Sequence, residues 1–232
     1  MSDHFCLLGS CYPAAQLETI LSDSKVELSY AAENLQKAII AGLDKNCDDV
    51  TVISAPSVGT WPRGYKKLFF KGRTFPQENR DVDISVGYCN FPLLVHYFKM
   101  CSLKKALLEW AKSFPEQDTK NVVVYEMTSS RLLAAVWLKK HVPNVKVCLI
   151  VPDLPQYMSE SRKWFFLMLK KIDFKLMCSR LKFIDSFVLL SEKMKEKLPI
   201  EGTSLSTSLI NEPPKKFPNP TPKVVRARPV TF

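Results

Sequence analysis

Two carboxylates stand where a β-strand pattern runs out. Glu126 closes NVVVYE (121–126), and Asp153 lies inside VPDLPQYM (151–158), after the apolar run VKVCLI. A carboxylate at such a strand end is a general-base candidate, able to take the proton from an attacking hydroxyl. Histidine is the commoner choice, and the chain has three. His4 opens the first strand pattern and His141 ends a helical one just before Val142-Pro143, so both belong to the opposite pole of a parallel sheet. His96 sits in the aromatic stretch LLVHYF, where a packed ring is expected. The base is thereby left to Asp153 or Glu126. Asp153 keeps a second reading, since Asp beside proline is also a turn or helix-capping residue.

Other chemistries lack their marks. The first strand is followed by LLGSCYP, with one glycine and no GxGxxG; neither GxxxxGK[ST] nor GxSxG occurs. The seven cysteines (Cys6, Cys11, Cys47, Cys89, Cys101, Cys148 and Cys178) form no CxxC and no zinc-spaced cluster with histidine. Reduced thiols in a cytosolic protein, and no metal, are expected.

The elements that must position these residues alternate along the chain. Strand patterns fall at 4–9, 50–54, 121–126, 145–151 and 186–190, with shorter strand-like pieces in KKLFFKG and DVDISVGY. Helical patterns fall at 29–43, about 93–113, 131–141, about 162–182 and a short stretch through Leu198. Runs such as VVVY and VCLIV are apolar at successive positions, so both faces of these strands are covered. Repeated β-α alternation predicts an α/β fold: a doubly wound, mostly parallel, Rossmann-like sheet. Ligands of such sheets bind beyond the carboxyl ends of the strands. That selects the loops Gly9-Ser10-Cys11, Ser54-Ala55-Pro56, Glu126-Met127-Thr128-Ser129, Pro152-Asp153-Leu154-Pro155 and Ser191-Glu192.

The 232 residues, 46% hydrophobic, are enough for one large domain with a proper core. A net charge of +10, from 33 basic and 23 acidic residues, favours an anionic partner. The basic charge is gathered in part on the helix at 162–182. There Lys163, Lys170, Lys171, Lys175 and Lys182 interleave with Trp164, Leu167 and Phe174, while Phe165, Met168, Leu169, Ile172 and Leu176 are expected to face the sheet. Lysines mixed with interfacial aromatics suit an anionic lipid surface; a partner-domain interface is the other reading. Nucleic acid is disfavoured for want of any binding motif. MSDHFCLLGS lacks the charge and apolar core of a signal peptide, and no apolar run approaches the ~20 residues that span a bilayer. From Glu212 onward six of the 16 prolines crowd together with five basic residues, which predicts an irregular tail.

GSCYP, LSYAAENLQKAIIAGL, VTVISAPSVGTWPRGYKKLFFKG, VGYCNFPLL, VVVYEMTSSRLLAAVWLKKHVPNVKVCLIVPDLPQYM and FVLLSEKMKEKL, taken in order, resemble the N-terminal half of bacterial GT-B glycosyltransferases of family 4, over about residues 5–200. The resemblance implies an acceptor-binding domain at 1–200, followed by a Pro-rich basic tail at 201–232 in place of a nucleotide-sugar-binding domain. It implies a metal-independent and cofactor-free transfer of a sugar, from a nucleotide-sugar co-substrate to a lipid-linked or polysaccharide acceptor, at the cytoplasmic face of a membrane. Asp153 then falls where the family places a catalytic or acceptor-orienting side chain, often within a His-Asp pair; here Pro152 stands in the position of the His. Gly9, Ser10, Glu126, Thr128, Ser129, Tyr157 and Met158 become acceptor-binding candidates. Lys163, Trp164, Lys170, Lys171 and Lys175 become the membrane-facing set. A donor domain is expected to be missing, truncated or carried on a separate polypeptide, so that this chain alone transfers little sugar. The alternative is a non-catalytic, membrane-peripheral subunit that keeps the fold.

Overall fold

In a computed structural model the chain is described at residues 2–75, 83–153, 164–190, 194, 198 and 204–205, the side chains at 165, 166, 204 and 205 excepted. Strand β1 (Asp3–Gly9) leads through a short 3₁₀ turn into helix α1 (Leu17–Asp23) and then α2 (Tyr30–Asn46). Strands β2 (Val50–Ser54), β3 (Phe69–Phe70), β4 (Arg73–Phe75), β5 (Asp83–Ser85) and β6 (Tyr88–Cys89) precede α3 (Val95–Lys112). The remainder alternates as β7 (Thr119–Tyr125), α4 (Ser129–His141), β8 (Val145–Val151), α5 (Trp164–Cys178), β9 (Ser186–Leu189) and β10 (Ser204–Leu205).

Among the described residues eight strands form one sheet in the order β10-β9-β8-β7-β1-β2-β5-β4, parallel throughout except for β4, which runs antiparallel to β5. β3 and β6 make a separate antiparallel ribbon. The doubly wound, mostly parallel α/β architecture expected from the apolar runs is what forms. β1 lies centrally, with Leu8 opposite Ile53 on one side and Val124 on the other.

Period-two alternation distributes the central strands between two helical layers. Cys6, Leu8, Ile53, Val122 and Val124 join Leu103 and Leu107 of α3 and Leu132, Ala135 and Leu138 of α4 in the main core. Leu7, Val52 and Tyr125 point the other way, against Leu35, Ile39 and Leu43 of α2. A third cluster gathers Tyr12, Ile20, Tyr65, Phe70, Tyr88 and Val95.

The two terminal histidines are structural, as their positions imply. His4 lies between Asp49 and Asp118, with Nε2 3.4 Å from the latter, and stacks on Phe114 at 3.7 Å. His141 places Nδ1 2.8 Å from the Trp137 carbonyl and stacks on the Trp137 ring. His96 differs from expectation: the residue is exposed, because it falls on the outer side of the first turn of α3 while Val95 and Lys99 turn inward.

Candidate functional site

Parallel pairing brings the ends of β1, β7 and β8 to one edge, and a cavity of about 410 Å³ opens there. Ser10, Glu126 and Asp153, from three different loops, all line it, together with Tyr12, Glu33, Gln36 and Tyr125. The candidate base Asp153 and two of the acceptor-binding candidates, Ser10 and Glu126, therefore line one cavity. Gly9, Thr128 and Ser129 are not in the lining, and Tyr157 and Met158 lie outside the described residues, as do Ser191 and Glu192.

Gly9 has a packing reason instead. A Cβ there would stand 2.6 Å from Gln36 Oε1, inside van der Waals contact. That close approach lets Gln36 serve the turn: Ser10 N–H donates to Oε1 at 2.7 Å, and the Gln36 amide donates to Ser10 Oγ at 3.3 Å. One helical turn earlier, the Glu33 carboxylate accepts the Tyr12 N–H at 3.0 Å. Two buried polar side chains of α2 thus set the loop after β1.

The loop after β7 is held from both sides. Glu126 adopts a left-handed backbone (φ 67°), donates its N–H to Ile150 O at 2.9 Å, and binds Arg131 through its carboxylate. A non-glycine residue in this region signals a conformation imposed by its surroundings. Arg131 is 3% exposed and Lys99, on α3, 8%. Lys99 donates to Pro56 O at 3.0 Å and lies 4.5 Å from the centre of the Tyr88 ring. Burial, reinforced by the Arg131 charge and opposed by Glu126, pushes the Lys99 ammonium down to about 7. His96, although its surface is open to solvent, is held below its ordinary value first by the protein packed around it and then by the nearby Lys99 charge, with Asp173 of α5 opposing.

Burial pushes the Tyr12 and Tyr125 phenols up to about 12, helped by Glu33 and Glu126 respectively, so both keep their protons at neutral pH. The Tyr12 phenol donates to Ser57 O at 2.7 Å, so the cavity wall offers carboxylates as acceptors and the Tyr125 phenol as a donor, a complement that suits a polyhydroxylated ligand. Asp153 stands exposed on the rim, accessible to a ligand hydroxyl. Among the described residues no group of His, Cys, Asp and Glu is arranged to hold a metal ion.

Sequence reading missed Glu33, Gln36, Lys99 and Arg131. All four are polar residues inside helices, where nothing in the local pattern separates a functional side chain from a solvated one.

The outer helix also departs from expectation. Met168, Ile172 and Leu176, expected to face the sheet, are exposed, and Leu169 is half-buried; Ile172 is 56% exposed. Phe174, expected outside, packs with Met177 and Cys178 on the core. Both arcs of α5 are apolar, and tertiary contact through its C-terminal half decides between them. Trp164 is 75% exposed, and Lys171 and Lys175 are exposed as expected, but Lys170 is half-buried and engaged. Lys163 lies outside the described residues.

No protein-family model and no curated protein matches the chain. Solved structures with a similar course include OtsA in its apo form, 9% identical over 83% of this chain and 41% of its own, with a TM-score of 0.47. Alpha,alpha-trehalose 6-phosphate synthase from Burkholderia multivorans is 7% identical over 84% of this chain and 41% of its own, at 0.48. The UDP-forming alpha,alpha-trehalose-phosphate synthase from Burkholderia xenovorans, in complex with glucose-6-phosphate, is 7% identical over 83% and 41%, at 0.46. The chain spans about two fifths of the length of these structures. Likenesses this distant carry no argument about activity, and family 4 rests on the sequence resemblance alone.

Proposed function

We propose that the chain is the acceptor-binding part of a glycosyltransferase of family 4 type, moving a sugar from a nucleotide-sugar donor to a lipid-linked or polysaccharide acceptor. The observation that carries this is the cavity at the strand carboxyl ends, which Ser10, Glu126 and Asp153 line together with Glu33 and Tyr125. Asp153 accepts the proton of the attacking hydroxyl while Glu126 and the cavity polar groups orient the sugar ring. The donor diphosphate requires stabilising groups from a further domain or polypeptide. Titration calorimetry with short neutral oligosaccharides tests the reading on this chain alone. Saturable binding that Asp153→Asn weakens supports it. Binding of no oligosaccharide, or binding indifferent to changes at Ser10, Glu126 and Asp153, refutes it.

A second reading, a membrane-peripheral partner subunit on the same fold, is favoured by one observation. Trp164, Met168, Ile172 and Leu176 recur every fourth residue as an exposed apolar ridge flanked by Lys171 and Lys175. Such a face suits the headgroup boundary of an anionic cytoplasmic leaflet, each lysine contributing about 1 kcal/mol. No helix among the described residues is long and apolar enough to cross a membrane. Sedimentation with anionic vesicles should show binding that weakens as salt rises. Changing Trp164 and Ile172 to Gln should abolish it; retention by that variant assigns the ridge to a protein partner.

A further inference from the structure

Behind the Glu126 wall of the cavity lies a cationic pair that the hydroxyl-binding reading does not use. Arg131 and Lys99 are both more than nine-tenths buried and within electrostatic reach of each other. Among the described residues one carboxylate, Glu126, pairs with Arg131, and the Arg131 Nε atom is buried without a hydrogen-bond partner. Thr128 Oγ1, at the start of α4, is likewise buried and unpartnered. The first hydrogen bond of α4 comes from Leu132 N–H to Thr128 O, and no side chain caps the turn before it. Unsatisfied buried donors and uncompensated buried charge both destabilise a fold. Arg131 is joined to the cavity through Glu126, which lines it.

We propose that Lys99 and Arg131 bind a phosphoryl group carried by the ligand of this cavity, and that the Glu126 carboxylate holds its place when the ligand is absent. The inference rests on the cavity being a ligand site and adds the chemical class of the ligand. Charge selects phosphoryl over carboxyl. One carboxylate is already present and leaves the pair short of one negative charge, whereas a phosphate dianion balances both cations. Its acceptor oxygens also suit the guanidinium fork and the ammonium. Burial bears on the same point, since a lysine lowered to about 7 regains its proton readily beside an arriving anion. Displaced from Arg131, Glu126 turns to the ligand hydroxyls on the cavity side.

Calorimetry on this chain tests the site with three probes: a neutral hexose, a hexose monophosphate and a short-chain polyprenyl phosphate. A phosphorylated probe should bind about 10-fold or more tightly than the neutral hexose. Preference for the hexose monophosphate makes the phosphoryl part of the sugar; preference for the prenyl phosphate makes it the lipid linkage. In either case Lys99→Met and Arg131→Gln should each erase the preference. Glu126→Gln should strengthen phosphate binding several-fold, because the internal competitor is gone. Weaker phosphate binding by Glu126→Gln overturns the place-holding role. Equal binding of neutral and phosphorylated probes overturns the phosphoryl site while the acceptor reading stands. No binding of any probe overturns both.

Discussion

Asp153→Asn is expected to lower sugar transfer by about 100-fold or more, measured as kcat in a preparation that supplies the donor-binding half. The size follows from the role. A positioned general base contributes roughly 10²–10⁴-fold, and an amide cannot accept the proton. Asparagine has nearly the shape of aspartate and forms the same turns, so it separates the two readings left open by the proline-flanked sequence. If Asp153 only shapes the loop after β8, the variant turns over like the parent. If it is the base, the loss appears in kcat with little change in acceptor affinity. Circular dichroism and thermal melting should show no difference between the two proteins, because Asp153 is exposed and outside the core.

Lys99→Met should stabilise the protein relative to the parent at pH 6, with an advantage that shrinks as pH rises toward 10. Lys99 loses its proton near 7 in the folded chain, against an ordinary 10.5. Below about 7 both folded and unfolded chains hold the proton, and the full cost of burying an ammonium falls on the folded state. Between 7 and 10.5 the unfolded chain binds more protons, so the parent gains stability as pH rises. At roughly 1.4 kcal/mol per pKa unit the whole swing is on the order of several kcal/mol. Methionine keeps most of the volume and removes the charge. The loss of the bond to Pro56 O adds an offset that does not follow this pH course. Urea denaturation of both proteins at pH 6, 8 and 9.5 reads the effect, and a difference independent of pH refutes it.

The sheet was legible because its strands are apolar at successive positions, which only burial on both faces explains. VVVY and VCLIV announce their neighbours without help from the rest of the chain. Helix α1 was not, since LETILSD is too short for a 3.6-residue period to stand out. Helix α5 was misoriented for a different reason: its Trp164-Met168-Ile172-Leu176 ridge is as apolar as the side that packs, and periodicity ranks faces only when they differ. The site divides in the same way. Asp153, Glu126 and Ser10 follow a rule of topology, carboxyl ends of parallel strands, and could be named in advance. Gln36, Glu33, Lys99 and Arg131 reach the same edge from inside helices. Their place depends on how α2, α3 and α4 lie across the sheet, which pairwise packing sets and no local window contains.

The central position of β1 has a consequence for how the protein is made. Its two partners are residues 50–54 and 119–125, so of these three strands the one synthesised first is also the one flanked by the other two in the finished sheet. At roughly 5–20 residues per second, the stretch from Ser54 to Tyr125 takes about 4–14 s to synthesise. During that interval β1 has no β7 to pair with, so one of its edges stays open, the kind of edge on which nascent chains associate wrongly. Slow codons between residues 54 and 119 would lengthen the exposure, and a chaperone that captures apolar nascent segments would have its best opportunity there.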